Sequence, residues 1–107
     1  MDLVEEVYAL TKLLPSSEQF NLISQTQRCS VSIPSNIAEG SKRNHQNEFL
    51  HFLSIAQGSA AELETQIILI QRLYPNLNDH CYIIINSIDE IAKILFTLKS
   101  NLRKSNL

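Results

Sequence analysis

The sequence lacks most of what a small cross-linked, repetitive or membrane-bound chain relies on. Tryptophan is absent, glycine is confined to Gly40 and Gly58, and proline to Pro15, Pro34 and Pro75. Nothing between these residues reads as a linker, an internal repeat or a low-complexity tract. The two cysteines, Cys29 and Cys81, show no CxxC spacing and lie in periodic apolar surroundings. They read as small buried hydrophobes in a reducing compartment, not as a disulfide or a metal clip. Long apolar runs are missing too. Ile67–Ile70 and Cys81–Ile85 fall far short of the roughly 20 residues that span a bilayer as a helix. The opening MDLVEEVYALTK is acidic and has no basic segment leading into an apolar run, so no secretory signal is visible and a cytoplasmic location is expected. Phosphate-cradling glycine loops are absent as well, which leaves nucleotide chemistry unsupported.

Charge of one sign is also scarce. The formal net charge of −2 argues against strong global attraction to nucleic acid or anionic lipid. The distribution is uneven, however. Asp2, Glu5 and Glu6 open the chain without a base, whereas Lys93, Lys99, Arg103 and Lys104 occupy its last seventeen residues without an acid. A local basic patch on a slightly acidic protein is therefore expected.

What is present is helical periodicity. Leu3, Val7, Leu10 and Leu14 predict a short first helix that Pro15 ends. Ser16 with Gln19 has capping-box spacing for a second helix, whose apolar surface begins with Phe20, Leu22, Ile23 and Val31. That helix is expected to run to Gly40, read as a left-handed closing residue, with Pro34 tolerated as a kink or else breaking the helix at Ser32–Ser35. In the third helix, expected from about His45 to Tyr74, Phe49, Leu53, Ala56, Ala60, Leu63, Ile67, Ile70 and Tyr74 step alternately by four and three. Gly58-Ser59-Ala60-Ala61 in its middle is expected to admit a neighbouring backbone closely. Pro75 and the Asn76–Asp79 cluster make the next turn. Cys81, Ile84, Ile88, Ile91, Leu95, Leu98 and Leu102 continue the pattern in a fourth helix, outweighing the strand propensity of Tyr82–Ile85. The reading is all-α: a single domain over 1–107, a four-helix up-and-down bundle with a short first helix that leaves one edge uncovered.

Polar residues fall into two groups. Arg28, Ser32, Asn36 and Glu39 form one stripe along the second helix. With a loop centred near Arg43, Glu39 falls level with Glu48, and Arg28 lies within a turn of Glu62. Arg28 is expected to pair with Glu62 or Glu64, and Asn36 and Glu39 to satisfy backbone or loop groups, giving a structural network rather than a catalytic one. Glu48 and His51 have the Glu-x-x-His spacing of di-iron bundles, but no second such motif exists. No metal, no cofactor and no small-molecule substrate are expected. Serines near His45 and His51 show no triad spacing, so no catalytic residue is assigned and the protein is read as not an enzyme. The second group is basic. Lys42, Arg43 and His45 form a loop, and Lys99, Arg103 and Lys104 a helix end. An antiparallel bundle brings both to one rim, the candidate nucleic-acid-binding surface. No aromatic residues interleave with these bases in sequence, so weak sequence specificity is expected.

Gln25, Arg28 and the run Ser32-Ile33-Pro34-Ser35-Asn36-Ile37-Ala38-Glu39-Gly40, followed by Glu48-Phe49, Phe52-Leu53, Ala56, Gly58-Ser59 and Glu62-Leu63-Glu64-Thr65-Gln66, carry a family resemblance. They resemble the four-helix-bundle family of bacterial 23S ribosomal RNA intervening-sequence proteins. Tyr8, Thr11, Pro15, Glu18 and Phe20 also fit, so the resemblance covers most of the chain. It implies a homopentamer of bundles around a central channel. It also implies kinship with the accessory variability protein of diversity-generating retroelements, which acts with a reverse transcriptase and RNA through a basic surface. Here the first helix starts later than is usual for the family, and the charge is slightly acidic. The functional expectation is a non-enzymatic, oligomeric accessory protein engaging structured RNA or a ribonucleoprotein through its basic rim. The alternative is a protein-interaction scaffold with no nucleic-acid role, whose channel or open edge receives a partner helix.

Overall fold

Four helices account for nearly all of the chain in the computed structural model, which describes residues 2–105. They are α1 (Asp2–Thr11), α2 (Ser24–Ser41), α3 (Gln46–Leu73) and α4 (Asn78–Ser105). No strand occurs among the described residues. Each helix packs on its neighbours in sequence and α4 closes back on α1, which makes an antiparallel four-helix bundle. Among the described residues no helix is long and apolar enough to cross a membrane.

The alternating steps of four and three become the core. Leu53, Ala56, Ala60, Leu63, Ile67 and Ile70 are buried along α3, with Phe49 and Tyr74 half-buried at its ends. Cys81, Ile84, Ile88 and Leu95 are buried along α4, and Tyr82–Ile85 is helical. Such spacing keeps one face of each helix toward its neighbour, and burial of each Leu or Ile contributes roughly 1.5–3 kcal/mol. Both cysteines are buried and free.

Four differences from the periodicity argument have physical causes. First, no capping box forms at Ser16. The chain enters through a 3-10 turn at Ser16–Glu18, capped at Pro15 without a side-chain bond, and a π-helical turn at Gln19–Ile23. Tyr74 Oη donates to Glu18 Oε2 at 2.7 Å, tying this entry to the end of α3. Second, Phe20 is 95% exposed and Val31 is also exposed, while Leu22 and Ile23 are buried. The π turn advances fewer degrees per residue than an α turn, so Phe20 swings off the buried stripe. Third, α2 runs unbroken through Pro34. Fourth, neither glycine plays its expected part. No glycine has positive φ. Gly40 is buried against α3, where an added Cβ would lie 2.7 Å from Phe52 Cβ and 2.9 Å from Phe49 Cδ1. Gly58 is exposed, with nothing within 4 Å of its Cβ position. The close approach to a neighbouring helix is therefore at Gly40, against the Phe52 and Phe49 side chains.

The core divides along the 49 Å axis of the molecule. Where α1 is present, four helices share one large cluster that includes Val7, Leu10, Ile33, Leu63, Ile67 and Ile84. Beyond the start of α1, a smaller cluster of Leu53, Ala56 and Leu95 is closed by Ile37, Phe49, Ile91, Leu98 and Leu102. At the helical rise α1 is about 15 Å long against about 42 Å for α3 and α4.

The two glycines give opposite outcomes on substitution. Gly40→Ala forces a methyl into the Phe52 backbone side of the contact and should destabilise the fold by about 1–3 kcal/mol. Gly58→Ala removes only the mid-helix flexibility of an exposed glycine and should stabilise by about 0.5–1 kcal/mol. Urea unfolding of the two variants beside the parent checks both signs.

Candidate functional site

The register of α2 against α3 decides what the polar stripe becomes. Cys29 Sγ donates to Glu62 Oε2 at 2.9 Å, and the Ser32 and Ser59 hydroxyls share a 2.8 Å bond. Both pairs place α3 about one turn further along than a loop centred at Arg43 would. Chain Lys42–His45 climbs past the end of α2, so the first turn of α3 overhangs it, and Gly40 lies level with Phe49 and Phe52. That shift brings Arg28 level with about Leu63, yet Arg28 pairs with neither Glu62 nor Glu64. It donates to Ser24 Oγ at 3.1 Å, one turn back on its own helix. Glu64 faces the other way, beside Ile88 and Asp89 of α4.

Asn36 Nδ2 donates to Ser32 O at 2.7 Å and to Ser32 Oγ at 2.9 Å. Glu39 accepts from Arg43 at 2.6 Å, an exposed i,i+4 pair of the kind worth at most about 1 kcal/mol. Glu48 is exposed on the first turn of α3 and does not meet Glu39. Of the seven polar residues, only Ser32 and Asn36 bond to each other.

What results on this face is a shallow groove of about 370 Å³ between α2 and α3, lined by Arg28, Cys29, Ser32, Ser59, Glu62 and Gln66. Its thiol is not a nucleophile. Burial, then the hydrogen bond to Glu62 and that carboxylate's charge, push the Cys29 pKa up to about 11. Gln66 and the Arg28 charge oppose this and lose. A thiol held protonated is inert at neutral pH. Cys81 is likewise shifted upward by burial.

The basic residues come together at the opposite, overhanging end. Gln46 Nε2 donates to Leu102 O and, at 3.0 Å, to Ser105 Oγ. These bonds clamp the start of α3 to the last turns of α4, so the Lys42–His45 loop and the Lys99–Lys104 segment share one rim. Arg43 is engaged: besides Glu39, its guanidinium sits 5.0 Å from the Phe52 ring centroid, where the cation meets the ring's negative face. Lys99 is pinned, its Nζ donating to Ser54 Oγ at 2.9 Å and Gln57 Oε1 at 2.8 Å. Among the described residues no acid pairs with it. Lys42, His45, Arg103 and Lys104 are exposed.

Sequence reasoning missed Phe96. It is 70% exposed and lines a cleft of about 540 Å³ with Gln57, Lys99, Ser100, Arg103 and Lys104. Phe96, Lys99 and Arg103 are spaced by three and four, so one face of α4 carries an aromatic ring followed by cations. The spacing was available in the sequence. Its exposure was not, because Phe96 looks like any other apolar residue of an Ile- and Leu-rich helix.

An all-α bundle with a short first helix, a polar α2–α3 groove and a basic rim defines the class of this protein. The chain belongs to the 23S rRNA-intervening sequence protein family, whose model matches residues 1–97. No curated protein is significantly similar to it.

The raised thiol gives a measurable pH dependence. With Cys81→Ala leaving one cysteine, the rate of Cys29 alkylation by iodoacetamide should rise with pH about a midpoint near 11 in the folded protein, against 9.0 for an ordinary thiol. A folded pKa above the unfolded one means this contribution to stability is whole below pH 9 and is lost as pH rises toward 11. Glu62→Ala should move the midpoint back down. A folded-state midpoint at 9 contradicts the assignment.

Proposed function

We propose that this protein is a non-enzymatic, oligomeric accessory protein that binds structured RNA, alone or within a ribonucleoprotein, through the rim formed by Lys42, Arg43, His45, Lys99, Arg103 and Lys104. The observation that carries this reading is the cleft on α4 where Phe96 lies beside Lys99, Arg103 and Lys104. Phosphates are held by cations whose counterions are released on binding, and a flat exposed ring offers a stacking surface for an unpaired base. The −2 net charge is no obstacle, because screening limits each phosphate to the cations within about 10 Å.

Assembly belongs to the same proposal. Family resemblance favours a homopentamer, and a ring would repeat the rim five times, turning weak phosphate contacts into useful avidity. A cytoplasmic site of action suits both the free, buried cysteines and an RNA partner. The polar α2–α3 groove holds its one thiol protonated, which favours binding over thiol chemistry.

A structured ribosomal RNA fragment titrated from low to physiological salt is the test, with light scattering for mass. Binding should be micromolar or tighter at low salt, with log K falling linearly in log salt. Arg103→Ala should weaken it and reduce the slope by about one. Phe96→Ala should cost about 1–3 kcal/mol on fragments with unpaired bases and little on pure duplex. Absence of binding at low salt would leave protein interaction as the better account.

A further inference from the structure

The Phe96 cleft is a donor surface. Gln57, Phe96, Lys99, Ser100, Arg103 and Lys104 line it, and among the described residues no carboxylate does. Gln57, Phe96 and Lys99 lie more than a turn inside α3 and α4, so packed helices hold them in place. Lysine and arginine carry N–H donors and no acceptor. Glutamine ordinarily offers both. Here Gln57 Oε1 accepts from Lys99 Nζ at 2.8 Å, while the same ammonium donates to Ser54 Oγ at 2.9 Å. An ammonium can only donate, so this bond fixes the amide. Its oxygen is taken by the lysine, and Nε2 has no protein partner among the described residues. Of the lining side chains, only the Ser100 hydroxyl still offers an acceptor oxygen.

The sign reverses further along the α3–α4 groove. Gln57 also borders a smaller hollow that holds Glu64 and Asp89. Asp89 lies two turns before Phe96 on α4, about 10 Å away, beyond hydrogen-bond reach of a base resting on the ring. A strand entering the cleft therefore keeps its phosphates toward Arg103 and Lys104 and offers the ring its base. What the donors then meet is the base edge. Uracil and guanine present carbonyl oxygens, which accept. Cytosine and adenine present amino groups at the corresponding positions, which set donor against donor. A donor facing another donor loses the hydrogen bond it made in water.

We propose that the Phe96 cleft selects unpaired keto bases, uracil and guanine, over cytosine and adenine, with Gln57 as the residue that sets the preference. This selection rests on the rim being an RNA surface and adds a base class to it.

The test compares labelled oligo(U) and oligo(C) of equal length, read by fluorescence anisotropy against the full chain. Their charge is the same, so the phosphate contribution cancels in the ratio of affinities. Oligo(U) should bind about three- to tenfold tighter at low salt, the worth of one neutral hydrogen bond. Gln57→Met should bring the ratio close to one. Gln57→Glu puts an acceptor where the donors were and should invert it. The added negative charge lowers both affinities together, which leaves the ratio as the readout. Circular dichroism of both variants should match the parent. A preference for oligo(U) that survives both substitutions comes from strand flexibility and overturns the proposal. Equal affinities in the parent overturn it too. Either result leaves the salt-dependent RNA binding of the rim standing, whereas no binding of either RNA at low salt removes that reading and this one together.

Discussion

Continuous burial of the α3 seam is the interaction on which the rest of this structure depends. Leu53, Ala56, Ala60, Leu63, Ile67 and Ile70 are buried one after another, so α3 touches core along nearly its full length. Both core clusters contain α3 residues, and the shared helix joins the four-helix part to the three-helix part. α4 follows with its own stripe at the same spacing. Neither helix needs strong intrinsic propensity when packing of this kind supplies most of the helical stability.

The helices differ in length. α1 lies in the slot between α2 and α4, and the carboxylates Asp2, Glu6 and Glu90 stand beside Ile91, Ile94 and Leu95 there. Because α3 overhangs α2, its first turn reaches the last turns of α4, and Gln46 ties them together. That overhang puts a basic loop and a basic helix end on one rim. Glu62 bonds to Cys29 rather than to Arg28, although all three line the same groove. Burial, and after it the neighbouring Glu62 carboxylate, keep the Cys29 thiol protonated.

The molecule therefore has two surfaces of opposite sign and different texture. One is basic with an exposed ring, suited to phosphate and base. The other is apolar with carboxylates around it. They fall on different faces, since α4 presents Phe96, Lys99 and Arg103 on one side and Ile91, Ile94 and Leu95 on another.

Local periodicity was enough to determine the helices of this protein and their buried stripes. The bounds of α3 and the burial of Leu53 through Ile70 were legible, as was the short first helix, because steps of three and four place side chains on one helical face whatever the neighbours are. The family could be read from the run between Ser32 and Gln66 as well. Only the tertiary structure decided which side chains meet across helices. Gly40 serves a close contact with Phe52 rather than a left-handed turn, Phe20 is turned out by a π turn, Arg28 bonds within its own helix, and Phe96 joins the cations. Each of these depends on axial offset or rotation between elements. Such offsets are set by loop path and packing, and a displacement of one turn changes every partner while leaving the periodic pattern untouched.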